Sequence, residues 1–123
     1  MRRVLIVDGS TIARVEADHV LRVLNMQSVG AGDGELAVRA LQTEGQFDAV
    51  LVGEWTTGAV NEEQFMQHVL ALQPKPKIIQ WFNEDALFGE GKPRTTLDGY
   101  DRRILKPLDR VEVILGFSQL GLR

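Results

Sequence analysis

Short apolar runs alternate along the chain with longer stretches in which apolar residues recur every three or four positions. Short runs rich in β-branched side chains are typical of strands, and apolar positions spaced i, i+4, i+7 are typical of amphipathic helices. Five strands are predicted, at residues 3–7, 27–31, 48–52, 77–82 and 103–105. The run at 3–7 is apolar on both faces and indicates a covered strand, whereas the less apolar run at 27–31 indicates an edge strand.

Helix-start signals accompany the periodic stretches. Ser10, Asp33 and Asn61 are predicted N-caps, with Gln64 completing a capping box, and Gly45 suits a left-handed C-terminal residue. Helices are expected at about 11–24, after Asp33, at about 62–72 and at about 108–120, whereas 83–99 should hold only one or two turns. The side chains predicted to face the core are Ala13, Ala17, Val20, Leu24, Leu36, Ala37, Ala40, Leu41, Phe65, Val69, Leu72, Val111, Ile114 and Leu115.

Strands that alternate with helices at this spacing predict βαβ units. The fold class is therefore α/β, a doubly wound five-stranded parallel sheet with a shortened or irregular fourth helix. At 123 residues the chain is expected to form one domain, residues 1–123, as a whole protein or as the N-terminal part of a longer one. Ligands of such sheets gather at the carboxyl ends of the strands.

Composition narrows the classes of function. The chain has no cysteine, which excludes disulfides and thiolate zinc sites, and its net charge of −3 makes direct nucleic-acid binding an unexpected role. No apolar run approaches the ~20 residues of a membrane span, so we expect a cytoplasmic protein without a membrane partner. No nucleophile–base pair is visible, so we expect no enzymatic activity, no catalytic residue and no cofactor.

The residues at the predicted strand ends resemble a response-regulator receiver domain of the CheY-like kind. The resemblance covers essentially the whole chain and rests on four segments in order: residues 4–10 (VLIVDGS), 31–37 (AGDGELA), 47–52 (FDAVLV) and 99–107, which ends in Lys106-Pro107. The resemblance implies the strand order 2-1-3-4-5, which is the order found in receivers. It also implies a cis bond between Lys106 and Pro107, since X-Pro is where cis bonds are inexpensive.

Phosphorylation of a receiver requires an aspartate after the third strand, two acids after the first strand to hold magnesium, a hydroxyl after the fourth strand and a lysine after the fifth. Carried over by resemblance, Asp8 and Lys106 are retained. The second acid is Gly9, the phosphoacceptor position is Gly53 and the hydroxyl position is Phe82. The place of the switch aromatic holds Arg103. The resemblance therefore implies a pseudo-receiver that lacks the phosphoacceptor and a metal site.

Several alternatives remain open at this pocket. In one alternative, Glu54 replaces the missing aspartate. In another, Glu54 or Asp8 forms an ion pair with Lys106 that imitates one fixed state of a receiver. Trp55 and Phe82 either fill the space of metal and phosphate or pack as ordinary loop residues, whereas Trp81 is expected to point to the opposite side of the sheet. The glycines at 30, 32 and 34 indicate a turn before the second helix rather than a phosphate loop.

Two functions follow as hypotheses. The first is a phosphorylation-independent signalling module that binds a protein partner, or a second copy, through the surface that receivers form with the fourth helix, fifth strand and last helix. The second is a sensor of a small anionic ligand such as a cyclic dinucleotide, because arginine forks suit phosphates. The basic residues that suggest a contact surface or an anion site are Arg102, Arg103 and Arg110.

Overall fold

The strands form one parallel sheet at the centre of the fold. The structure, a computed structural model, describes residues 2–83 and 99–122. The sheet order is β2-β1-β3-β4-β5, as predicted, and β2 lies at an edge. The strands are β1 (Arg3–Val7), β2 (Gln27–Ala31), β3 (Ala49–Val52), β4 (Lys77–Phe82) and β5 (Arg102–Leu105), and all neighbouring pairs are parallel.

Four helices are present among the described residues. They are α1 (Thr11–Val23), α2 (Gly34–Thr43), α3 (Glu62–Leu70) and α4 (Arg110–Gln119). Ser10, Asp33 and Asn61 accept backbone N–H groups as N-caps, and Gln64 completes the capping box, as predicted. The predicted short helix within 83–99 falls mainly on residues outside the described part.

The helices cover the two faces of the sheet in pairs. Alternate residues of β1 enter different cores, with Ile6 on one face and Val7 on the other. The first core contains Ala17 and Leu21 of α1 with Val113 and Phe117 of α4. The second contains residues of α2 and α3, among them Phe65. The sheet is therefore buried on both faces, as the apolar runs predicted.

The predicted phase of the last helix is wrong. The buried residues of α4 are Val113, Gly116 and Phe117, whereas Val111, Ile114 and Leu115 are exposed. Apolar residues occupy two stripes of this helix, so periodicity alone does not decide which stripe faces inward. The close approach of Arg102 to Gly116 helps to fix the observed rotation, since a Cβ at Gly116 would be 2.9 Å from Arg102 Nε.

Of three smaller expectations, the one for Leu36 is wrong, whereas those for Gly45 and for the glycines at 30, 32 and 34 agree with the structure. Leu36, placed in the buried stripe of α2, is exposed, because Gly34 and Ala37 supply the close approach at that end of the helix. Gly45 adopts a φ of +83°, as expected after α2. The glycines at 30 and 32 lie against the side chain of Arg14, and Gly34 begins α2, so they serve strand, turn and helix packing rather than a phosphate loop.

Candidate functional site

Four residues meet at the carboxyl ends of the strands, on the sheet face that carries α1 and α4. Asp8 follows β1, Gly53 follows β3, Trp81 lies near the end of β4 and Lys106 follows β5. Side chains alternate along a strand, and Asp8, Gly53 and Lys106 are in phase with Ile6, Leu51 and Ile104 of the first core. Strand alternation and the parallel register therefore bring these residues together.

Asp8 is fully buried and its carboxylate is satisfied by three donors. The backbone N–H of Ser10 donates to Oδ1 over 2.8 Å, and the backbone N–H of Glu54 donates to Oδ2 over 3.0 Å. Lys106 Nζ donates to Oδ2 over 2.6 Å and forms an ion pair with it. A buried carboxylate needs such partners, because an unpaired charge in the interior is strongly unfavourable.

The side chain of Asp8 occupies the space that a side chain at position 53 would need. A Cβ built on Gly53 would be 2.9 Å from Asp8 Cγ and closer still to Oδ2, and it would be 3.1 Å from Trp81 Cε3. Real Cβ atoms do not approach other heavy atoms so closely. As long as Asp8 keeps its present position, position 53 therefore has room for no residue other than glycine.

Lys106 is held by two different interactions. Its ammonium pairs with Asp8 and also lies 4.5 Å from the centroid of the Trp81 ring, within the range of a cation–π contact. The Lys106–Pro107 bond is cis, as the resemblance implied. Only 11 % of the Lys106 side chain is exposed, so its ammonium is mostly committed to these two partners.

Thr56 fills the space beside Gly9. A Cβ on Gly9 would overlap the hydroxyl oxygen of Thr56, which donates to the carbonyl of Gly32 over 3.1 Å. Gly9 also donates its N–H to the carbonyl of Glu54 over 2.9 Å, which ties the loop after β1 to the loop after β3. The sequence analysis missed Thr56, because no local pattern links it to Gly9.

Trp81, rather than Phe82, stands beside Gly53, so the expected places of these two residues need correction. The pairing of Val52 with Gln80 puts Gly53 next to Trp81 in the parallel register. Trp81 belongs to the first core together with Ile79, whereas Phe82 has the opposite phase on β4. The alternation of Ile79 and Trp81, matched to that of Leu51 and Gly53, was the signal that could have found this.

Trp55 packs away from the pocket, as an ordinary loop residue. Its indole N–H donates to the carbonyl of Val60 over 3.2 Å, and its ring lies 5.5 Å from that of Phe65 in the second core. The indole also lies against Gly34, where a Cβ would be 2.7 Å from it. Trp55 therefore joins the loop after β3 to α2 and α3.

Glu54 is exposed at the rim of the pocket. It lines a cleft of about 280 Å³ together with Lys106 and Trp81. The ion pair described for Lys106 is with Asp8, so of the two acids considered from the sequence Asp8 is the one that pairs. The contribution of Glu54 to the Asp8 site is its backbone N–H.

The three arginines of the predicted contact surface do not converge on one site. Arg102 lies against Gly116 and donates to Gln119 of α4, on the sheet face that carries the first core. Arg103 follows it on β5 and therefore points to the opposite face. Arg110 is exposed in the first turn of α4. A joint grip of these three residues on one anion is not supported by this arrangement.

The residues at this pocket do not fit a magnesium site. Asp8 is the single acid after β1, and its oxygens already accept from Ser10, Glu54 and Lys106. Magnesium needs near-octahedral oxygen ligands, for which one committed carboxylate is not enough. Within residues 2–83 and 99–122, no group of three or more acidic, histidine or cysteine side chains is placed to hold a metal ion. His19 and His68 are exposed on their helices.

Comparison with solved structures places the chain in the class of CheY-like receiver folds, which confirms the fold implied by the sequence. The receiver domain of a sensor histidine kinase from Pseudomonas aeruginosa, with magnesium in its active-site cleft, matches with a TM-score of 0.76 at 19% identity over 96% of this chain and 95% of that one. A receiver domain from Methylobacillus flagellatus matches with a TM-score of 0.75 at 19% identity over 98% of both chains.

A chemotaxis response regulator of Vibrio cholerae is also similar, with a TM-score of 0.74 and 19% identity over 98% of both chains. Neither a protein-family model nor a curated protein sequence matches this chain. At these identities the likeness establishes the fold. Among the described residues, none of the helices is long and apolar enough to span a membrane.

Proposed function

We propose that the chain is a receiver-like signalling module that works without phosphorylation and without catalysis, through contacts with a protein. The observation that carries the proposal is the position of the Asp8 carboxylate against Gly53, where a phosphoacceptor side chain would stand. The nucleophilic oxygen of an acceptor at that place is missing, and the nearest carboxylate is already paired with Lys106.

The arrangement around Asp8 supports a single fixed state of the pocket. In a receiver, the lysine after the fifth strand is available to the phosphoryl group, whereas here it is bonded to Asp8 and lies against Trp81. The hydroxyl that would follow a phosphoryl group is replaced by Trp81. With no group to respond to phosphate, the surfaces of this fold remain available for binding in one constant form.

Several surfaces can carry such contacts. The resemblance to receivers favours the one that includes β5 and the last helix, where Arg103, Leu105 and Arg110 are exposed. An anion sensor is the weaker alternative, because Arg102 and Arg103 point to opposite faces of the sheet.

The proposal is tested by treating the protein with magnesium and acetyl phosphate, and separately with magnesium and beryllofluoride. We expect no phosphoryl adduct by intact mass and no change in the amide NMR signals of residues 8, 53 and 106. A receiver that carries the phosphoacceptor aspartate, treated in parallel, shows that the reagents are active.

The Glu54→Gln variant separates the remaining alternative. An adduct on the wild-type chain that disappears in E54Q would identify Glu54 as a substitute acceptor and would overturn the proposal. An adduct on both chains would overturn it as well, because phosphorylation would then be possible elsewhere in the pocket.

A further inference from the structure

The layer formed by α1 and α4 carries most of the large apolar side chains that are exposed in the described part of the chain. Among the described residues, nine large hydrophobic side chains are exposed, and six of them lie on these two helices. Their exposed fractions range from 38 % to 72 %. Monomeric proteins rarely leave large contiguous apolar patches in water. These six side chains, called here the α1–α4 face, are Ile12, Val15, Val23, Val111, Ile114 and Leu115.

The two helices pack on the same face of the sheet, where both contribute to the first core. Asp18 of α1 bonds Ser28, so that side of α1 is turned toward β2. Arg102 of β5 lies against Gly116 and bonds Gln119, so that side of α4 is turned toward the outer edge of the sheet. The remaining sides of α1 and α4 therefore face each other, and Ile114 lies on that side of α4. Leu115 lies one turn before Gln119 and therefore nearer the outer edge, so the apolar surface runs from α1 over the outward side of α4.

The apolar positions of the two helices match in height. Both helices follow strands of a parallel sheet, so they run in the same direction from the same edge. Counted from the first residue, α1 has Ile12 and Val15 at its second and fifth positions, and α4 has Val111 and Ile114 at the same two positions. A twofold axis along the groove between the helices would set α1 of one copy on α4 of the other, with these positions level.

The charges of this layer do not oppose self-association. On α1, Arg14 and Arg22 balance Glu16 and Asp18, and on α4 the arginine and the glutamate at 110 and 112 cancel. Glu16, near the middle of α1, and Arg110, at the start of α4, are both exposed and carry opposite charges. Two copies that meet through this face avoid like-charge repulsion and have opposite charges available across the interface.

We propose that the α1–α4 face binds a second copy of this chain in a twofold-symmetric dimer, with α1 of each copy packed on α4 of the other. The inference rests on the proposed function, since it names the partner and the surface of that contact. This face differs from the β5 surface that the resemblance to receivers favours.

The available area suits a reversible dimer. With roughly 100 Å² of apolar surface on a fully exposed aliphatic side chain, the six residues present roughly 350 Å². A standard stable interface uses about 800 Å² from each partner, of which somewhat more than half is apolar. The face therefore supplies most of the apolar part of such an interface, and a concentration-dependent equilibrium is expected.

Sedimentation velocity of the full chain from about 10 µM to about 1 mM tests the dimer. The wild-type chain should shift from monomer to dimer over this range. V15E and L115K should each weaken association about tenfold or more, because each places a charge in the apolar contact. The control is L36E on α2, since Leu36 is also exposed but lies on the other side of the sheet; it should leave association unchanged.

The double variant V15E/L115K tests the crossed arrangement itself. In the proposed dimer, position 15 of one copy is level with position 114 of the other and within one residue's rise, about 1.5 Å, of position 115, so opposite charges at 15 and 115 should recover at least half of the lost association free energy. Circular dichroism and thermal unfolding of each variant show whether the fold is retained. If a single variant unfolds, the smaller changes V15S and L115S replace it.

Three outcomes would overturn this inference: a chain that stays monomeric at all concentrations, a dimer that V15E and L115K leave intact, or a dimer broken instead by R103E on β5. A monomer that still ignores beryllofluoride would end only the dimer inference. A chain that accepts phosphate would end the proposed function whatever its oligomeric state.

Discussion

Asp8 and Gly53 share one small volume at the carboxyl ends of β1 and β3. The carboxylate of Asp8 lies where the first side-chain atom of residue 53 would be, with Asp8 Cγ 2.9 Å from the position of that atom. The ion pair of Asp8 with Lys106 depends on this vacancy, because the same oxygen, Oδ2, is the acceptor of the ammonium. The structure therefore predicts how substitutions at Gly53, Asp8 and Lys106 each change the stability of the protein.

Gly53→Ala should destabilise the protein by about 2–4 kcal/mol, because the new methyl group must displace a buried, paired carboxylate. Urea unfolding measures the change. Gly58→Ala is the matched control, since no atom lies within 4 Å of a Cβ at Gly58. It should change the free energy of unfolding by less than about 1 kcal/mol. Equal effects of the two substitutions would contradict the tight fit at Gly53.

Lys106→Met should cost about 3–5 kcal/mol of unfolding free energy, because it leaves the fully buried Asp8 carboxylate without its cation. Asp8→Asn in the same background removes that charge, so the double variant should be more stable than the sum of the single effects indicates. A double-mutant cycle by chemical denaturation measures this coupling. Strictly additive effects would show that the ion pair does not contribute.

Gly9→Ala should destabilise the protein by about 1 kcal/mol, because the methyl group forces Thr56 to rotate and to give up its bond to the Gly32 carbonyl. Thr56→Ala removes the overlapping hydroxyl. The combined variant G9A/T56A should therefore lose less stability than the two single variants together. Thermal unfolding of the four proteins provides the comparison, and a larger than additive loss would refute the contact.

The pH dependence of stability should include a contribution from Asp18. Burial acts to raise the pKa of this carboxyl, but the hydrogen bond from Ser28 and the ion pair with Arg22 outweigh it and lower the pKa below 3.8. The charged form is thus favoured in the folded chain. Its stabilising effect should be present above pH 3.8 and should disappear as the pH falls through the lower folded pKa.

Asp18→Asn tests this contribution when it is compared with the wild-type chain across the acid range. The wild-type protein should be more stable than D18N near neutral pH, and the difference should decrease as the pH falls below about 4. Ser28→Ala should reduce the same difference, because it removes one hydrogen bond to the carboxylate. A difference that stays constant with pH would contradict the assignment to Asp18.

The order and type of the described elements could be predicted from the sequence because they depend on local patterns. The strand at 77–82 has the predicted bounds, and the caps at Ser10, Asp33 and Asn61 act on N–H groups within three residues. The resemblance at the strand ends also led to the observed strand order. Lys106 was placed in the pocket because it directly follows the last strand.

Tertiary structure decided the features that depend on distant parts of the chain. Trp81 rather than Phe82 stands beside Gly53, because the register of β4 against β3 is a contact between strands. The last helix buries Val113 and Phe117 rather than the equally apolar Val111 and Leu115, because packing on the sheet selects one of its two stripes. The sequence by itself determined that residue 53 has no carboxylate. Only the tertiary structure decided that the Asp8 carboxylate fills the space beside Gly53, because the donors that stabilise its buried charge, at Ser10, Glu54 and Lys106, come from separate parts of the chain.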